Sequence, residues 1–172
     1  VESGSQVYIV YPLIEESAKK DHKDLMDGYE SLTRYFPDTQ IGVLHGRMKA
    51  ENKDYEMKRF VEAKTKILVS TTVVEVGVDV PNASVIIIES AERFGLSQLH
   101  QLRGRVGRGK KQSYCILMTK YDISKESKER IKAMVETSDG FKIANTDLKL
   151  RGPGNMMGTK QSGLLELRFT NL

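Results

Sequence analysis

Five short apolar runs set the fold of this chain: Val7–Val10, Ile41–Leu44, Ile67–Val69, Ser84–Ile88 and Ser113–Met118. Runs this short and this apolar are strands buried on both faces rather than one. Between the first two, Asp21–Phe36 places Leu25, Tyr29, Leu32 and Phe36 on one helical stripe, with Asp21 as cap and Pro37-Asp38 as stop. A second helix is expected over Ala50–Ala63, carrying Tyr55, Met57, Phe60 and Val61. Strands and helices alternating at this spacing build right-handed βαβ units, hence a parallel α/β sheet with helices on both faces. The run SVIII is expected at its centre. Ligands of such sheets bind beyond the carboxyl ends of the strands.

The chemistry concentrates in Ser97–Lys111, SQLHQLRGRVGRGKK. Given helical geometry, Gln101, Arg105 and Arg108 share one face at i, i+4 and i+7, and Leu99, Leu102 and Val106 anchor the other. Gly104 and Gly107 each cost about 1 kcal/mol against Ala in a helix interior, a cost without use on a merely solvated face. Glycine lets a large anion approach the backbone, and a guanidinium binds phosphate with a planar fork. No acidic residue occurs between Arg93 and Tyr121 to occupy these cations. Upstream, Thr71 and Thr72 supply two hydroxyls at a strand end, a fit for a nucleic-acid phosphate. Gly77 permits close approach there, and Asp79 can accept from a ribose hydroxyl. His45-Gly46, Thr71-Thr72 and the arginine helix are all expected to converge at the carboxyl edge.

A nucleotide cradle is missing. Gly104–Lys111, GRVGRGKK, misses G-x-x-x-x-G-K-[ST] at one residue, Lys111, which stands where the Mg²⁺-holding hydroxyl belongs, and the run comes after a helix instead of a strand. Gly152–Gly158 has one residue too many for G-x-G-x-x-G and also comes after a helix. The chain thus reads as half a site. Arginines reaching across a cleft are worth roughly 10³ to 10⁵ in phosphoryl-transfer rate, and they need a partner lobe bearing the phosphate loop.

With 172 residues the chain has room for one full domain and a small appendage, and its net charge of +4 is unevenly spread. The expected division is 1–120 and 121–172. Beyond Tyr121, Ser124–Thr137 and Gly140–Leu150 read as a helical hairpin, followed by Arg151-Gly152-Pro153-Gly154 and a glycine-containing loop. The sole cysteine, Cys115, is expected to be a reduced core residue. His22, His45 and His100 have no ligand-like spacing, so no metal site is expected. No apolar run approaches about 20 residues and no signal pattern is present, so a cytoplasmic protein that does not engage membranes is expected. The start at Val1-Glu2, without Met, suggests a piece of something longer.

The segments ILVSTTVVEVGVDVPNAS and QLHQLRGRVGRG closely resemble motifs V and VI of superfamily-two helicases, in their second RecA-like domain. VYIVYPLIEES and LHGRM resemble the motif IV region and the segment after it. The tail DGFKIANTDLKLRGPGNMMGTKQSG resembles the translocation motif shared by RecG helicases and transcription-repair coupling factors. LRGPG, with YPLIEES, points to the RecG family of ATP-dependent branch-migrating DNA helicases, and the resemblance covers essentially the whole chain. It implies that Arg105 and Arg108 contact the phosphates of ATP, Arg108 as the finger, and that Gln101 links that site to the DNA side. Gly77 and Asp79 would lie near the nucleotide. His45, Gly46, Arg47, Thr71 and Thr72 would face the DNA backbone. Arg130, Arg151 and Gln161 would couple domain closure to a loop dragging on duplex DNA. ATP and Mg²⁺ would be held mainly by the N-terminal lobe of the same protein, and the substrates would be forks and junctions of double-stranded DNA in the bacterial cytosol. Asn145 and Asn155 stand where the family is expected to carry glutamate. Two other readings are a coupling-factor translocase and a nucleic-acid-binding module that never meets ATP.

Overall fold

A computed structural model describes residues 4–13, 18–71, 80–109 and 112–151. Its elements, in chain order, are β1 (Gln6–Tyr11), α1 (Ala18–Tyr35), β2 (Ile41–Leu44), α2 (Ala50–Val61), β3 (Ile67–Thr71), β4 (Ala83–Ile88), a 3₁₀ turn (Ala91–Arg93), α3 (Leu96–Arg103), β5 (Tyr114–Leu117), α4 (Lys125–Glu136) and α5 (Gly140–Arg151). The five strands form one sheet in the order β2-β3-β1-β4-β5. Every pairing is parallel. The SVIII strand is interior as expected, one place from the middle, which β1 holds.

Right-handed crossovers decide which helix covers which face. The chain moves one way across the sheet from β1 to β2, and the other way from β2 to β3 and from β4 to β5. α1 therefore lies on one face and α2 and α3 on the opposite one. Strand alternation supplies each helix with its floor. Ile9, Ile67 and Val69 meet Leu25 of α1. Tyr8, Val10, Leu44 and Leu68 face Phe60 of α2 and Leu96, Leu99 and Leu102 of α3. The stripe expected on α1 holds from Leu25 to Leu32, but Phe36 is exposed.

The helical hairpin packs onto the α2–α3 face. Met134 of α4 and Ile143 of α5 belong to the same buried cluster as Leu99 and Leu102. Ser124 caps α4 by accepting from the Ser127 amide at 3.1 Å. Asp139 caps α5 by accepting from Phe141 N at 2.9 Å. Cys115 is half-buried in β5, and burial pushes its thiol up from the ordinary value.

Asp21 is a correction. It sits inside α1 and caps nothing; its carboxylate is buried and pairs with Arg93 at 2.7 Å. The pair ties α1 to the turn after β4 and stands in a polar pocket of about 160 Å³ with Tyr11, Asp24, Glu89 and Ser90. The connections leaving β1 and β4 depart in opposite directions here, which makes this pocket the topological switch point of the sheet. Burial raises the Glu89 carboxyl above the usual range. Burial first, and then Glu89 and Asp24, push the Tyr11 phenol up as well.

Candidate nucleotide and nucleic-acid interfaces

α3 runs from the carboxyl edge of the sheet to the amino edge, antiparallel to the strands it covers. Its start is pinned at the carboxyl edge, where Ala91 N donates to Met118 O at 2.7 Å and Met118 N to Ile88 O at 2.9 Å. At Gly95, the amide donates to Gln98 Oε1 at 2.9 Å and opens the helix. The helix ends at Arg103, with Gly104 as its cap.

Two expectations are overturned by that length. Gln101, Arg105 and Arg108 do not share a helical face, because only Gln101 lies in α3. The arginine segment also does not converge with His45 and Thr71. It leads into β5 at the amino edge, and Gly109 there packs against the Pro81 carbonyl just ahead of β4. The glycines serve the turn itself. Gly107 has φ +90°, a backbone that side chains rarely adopt, and a Cβ on Gly109 would overlap Pro81 O. Geometry of the chain reversal explains them without any appeal to an approaching anion.

At this amino edge Arg105 is half-buried; its amide donates to Leu102 O at 3.0 Å, and its side chain makes no hydrogen bond or ion pair among the described residues. Arg108 is exposed, its Nε donating to Gly104 O at 3.3 Å. Val106 packs on the core and holds the segment down, as Leu99 and Leu102 do for the helix. Gly77 and Asp79 lie outside the described residues; Val80, next in the chain, is buried at this same edge. The donor set fits the phosphates of a nucleotide held elsewhere: two guanidiniums, no carboxylate over residues 94–120, and an exposed surface.

The opposite edge carries the other predicted group. His45 and the exposed Gly46 and Arg47 come directly after β2, and Thr71 closes β3. Leu44 pairs with Ser70, so His45 and Thr71 stand on neighbouring strand ends. Thr71 is buried, and its Oγ1 has no hydrogen-bond partner among the described residues; the same holds for His45 Nδ1. Burial lowers the His45 imidazole from its ordinary value, and the positive charges of His22, Arg47 and Lys53 lower it further. Thr72 lies outside the described residues.

Between the edges, Gln101 faces α5 across a groove of about 400 Å³ shared with Ser97, His100, Ile143 and Asp147. Arg130 reaches from α4 to the start of α3, donating to Phe94 O at 3.0 Å and Ser127 Oγ at 3.1 Å. Arg151 closes α5, its side chain outside the described set, as is Gln161.

Sequence reasoning passes over Arg103. Its Nη1 donates to Met134 O and Thr137 O, both at 2.8 Å, and its Nη2 meets His100 Nδ1 at 3.1 Å. One guanidinium in the last turn of α3 thereby caps the carboxyl end of α4. A signal for it exists: an arginine facing away from its motif neighbours, with two helices predicted downstream that need carbonyl partners.

This architecture, with its two polar edges, is that of a helicase motor domain. The profile of the helicase conserved C-terminal domain matches residues 1–110, and the chain belongs to that family. A second profile, that of the ATP-dependent DNA helicase RecG, domain 3, C-terminal, matches residues 137–172. The chain is 55% identical to the ATP-dependent DNA helicase RecG of Synechocystis sp., over 100% of its own length and 21% of that protein. With RecG of Bacillus subtilis the identity is 50%, over 100% of this chain and 25% of the relative. The chain thus spans between a fifth and about a quarter of the length of these relatives. A solved structure of RecG bound to a three-way DNA junction superposes with TM-score 0.74 at 50% identity, covering 89% of this chain and 20% of that one. The C-terminal domain of the DEAD-box protein Dbp5, 18% identical with TM-score 0.50 over 76% of this chain and 68% of that one, shares the fold. The expected resemblance to RecG-type helicases and the expected RecA-like α/β fold both hold.

Proposed function

We propose that this chain is the C-terminal motor lobe of an ATP-dependent double-stranded DNA translocase that remodels replication forks and recombination junctions in DNA repair. The observation that carries the reading is the separation of the two polar groups onto opposite edges of one rigid sheet. The amino edge presents Arg105 and Arg108 to the N-terminal lobe of the same protein, whose phosphate loop would hold ATP and Mg²⁺. Hydrolysis of ATP would supply the free energy for movement. Arg105 and Arg108 would hold the phosphates from this side, Arg108 from the more exposed position. Gly77 and Asp79 would stand near the nucleotide, as they precede in sequence Val80 and Pro81, which lie beside Gly109. The carboxyl edge would offer His45, Gly46, Arg47 and Thr71 to the duplex backbone, with Thr72, next in the sequence, proposed to join them. The known relative bound to a three-way junction supports branched DNA as the substrate.

α3 spans the distance between the edges, which makes it the rod through which one site moves the other. Gln101 faces the hairpin midway, Arg130 ties α4 to the start of the rod, and Arg103 ties it to the end. With Arg151 and Gln161 these residues would transmit closure at the nucleotide to the loop that grips DNA.

The test is a pair of variants in the full-length protein that carries this chain. Arg108→Ala should lower ATP turnover by roughly 10³-fold or more while junction affinity stays within about twofold. Arg47→Ala should do the reverse, weakening junction binding and reducing its salt slope by about one while sparing turnover at saturating DNA. Turnover that survives Arg108→Ala would refute the amino-edge assignment.

A further inference from the structure

His22 lies in the second turn of α1, and its ring meets that of His45 edge to face, centroids 4.7 Å apart and planes at 82°. The pair stands over the carboxyl ends of β2 and β3, on the sheet face that α1 covers. His45 and Thr71 flank each other there on strands about 4.8 Å apart. Each contributes a buried polar atom without a partner among the described residues, His45 Nδ1 and Thr71 Oγ1, and Thr71 is only 1% exposed. Orphaned buried groups are costly, so two on adjacent strand ends point to something that satisfies them.

Among the described residues the surrounding charge has one sign. The groups whose charge reaches His45 are His22 from α1, Arg47 from the turn and Lys53 from α2. The carboxylates at this end of α1, Asp21 and Asp24, turn away into the switch-point pocket with Tyr11, Glu89 and Arg93. Lys19, Lys20 and Lys23 lie exposed in the first two turns of α1, at the positive end of its dipole. Cations are disfavoured there. A polyanion laid along the edge would offset this accumulation.

We propose that His22 is a DNA-contacting residue: it and His45, backed by Arg47, Lys53 and the positive end of α1, grip one phosphodiester of the duplex, and His45 takes up a proton on doing so. The proposal rests on the reading of this edge as DNA-facing and adds to it a residue and a proton linkage. An imidazole N–H donates to a non-bridging phosphate oxygen. The phosphate's negative charge then opposes the burial and the positive neighbours that hold His45 below its ordinary range. Protonation is thus favoured in the complex relative to the free protein, and affinity falls as pH rises through the bound-state value. A one-unit difference between the two states is worth tenfold in affinity.

Binding of the full-length protein that carries this chain to a fluorescently labelled three-way DNA junction, monitored by anisotropy at fixed salt from pH 6 to pH 8.5, tests this. The unaltered protein should bind about tenfold more tightly at pH 6 than at pH 8. His45→Gln should flatten that dependence and stay near the weaker value. His22→Gln should weaken binding across the range, and His22→Lys, which keeps a charge at that position, should restore it. A flat profile for the unaltered protein overturns the proposal, as does a retained slope in His45→Gln, unchanged affinity in His22→Gln, or a His22→Lys variant no tighter than His22→Gln. If Arg47→Ala also leaves affinity unchanged, the DNA-facing edge itself falls. If Arg47→Ala weakens binding and only the histidine variants are silent, the edge stands and the grip falls.

Discussion

The two edges of this sheet solve opposite problems. At the amino edge the backbone does the shaping: Gly107 at φ +90° and Gly109 against Pro81 fold the chain tightly, and the arginines ride on that turn. At the carboxyl edge side chains do it: the buried Asp21–Arg93 pair fixes α1 to the turn after β4, and polar atoms are left unmatched at the ends of β2 and β3. A point-like ligand, the end of a triphosphate, suits charges held on a stiff reversal. A long one, a duplex backbone, suits a row of strand ends with unmet hydrogen-bonding capacity. One parallel sheet offers both because its crossovers return at the edge opposite to the one they leave.

The sharpest way to break this contrast is at the carboxyl-edge anchor. Asp21→Ala removes one partner of a buried pair and leaves the partly covered Arg93 guanidinium without its carboxylate. Unfolding in urea should show a loss of about 3 kcal/mol. At the amino edge Arg105→Ala should change stability by less than about 0.5 kcal/mol, since its side chain makes no hydrogen bond or ion pair among the described residues. Equal costs at the two positions would mean that the arginine segment is anchored by its side chains after all.

Much of this is legible in the sequence, for a physical reason. The interior strands β1, β3 and β4, largely buried, have little polar alternation to obscure them. Edge strand β5 is not buried on both faces as expected, Tyr114 and Ile116 being exposed, yet its apolar run still marks it. All five strands, α1, α2 and the hairpin can be read to within a few residues. The arginine segment is misread because helical periodicity has no built-in stop: R-G-R-V-G-R continues the i, i+4, i+7 pattern on paper, while Gly104 ends the helix in fact. The edge is misread separately: α3 returns antiparallel to the strands, so whatever comes after it lies at the amino edge. Asp21 is misread for the opposite reason. Its partner, Arg93, lies 72 residues away, and nothing local announces a long-range ion pair. Arg103 is hidden in the same way, its acceptors being main-chain carbonyls of another helix.

The two glycines flanking the arginine segment sharpen the same lesson. A methyl on Gly109 meets the Pro81 carbonyl, which is backbone and cannot yield cheaply, whereas one on Gly104 finds Gln101 O at 3.4 Å, an ordinary contact. Gly109→Ala should therefore cost about 2 kcal/mol in a thermal or urea melt, and Gly104→Ala close to nothing. Were the glycines present to admit an anion, both changes would leave stability alone and differ only in nucleotide-dependent activity.

The smallest effect is the most discriminating, because its sign is unusual. Thr71→Val exchanges a buried, unpartnered hydroxyl for a methyl of similar shape in a β-branched position. If the hydroxyl is kept for a ligand, its removal should raise the stability of the free chain by about 1 kcal/mol and weaken junction binding in the same variant. Ser70 supplies the control. Its Oγ is also buried and unpartnered, but it points to the opposite face of β3, with Leu68, away from α1. Ser70→Ala should stabilise to a comparable extent and leave junction affinity unchanged. A loss of stability in Thr71→Val would show that the hydroxyl is already satisfied within the fold, and the carboxyl edge would lose the feature that sets it apart from the amino edge.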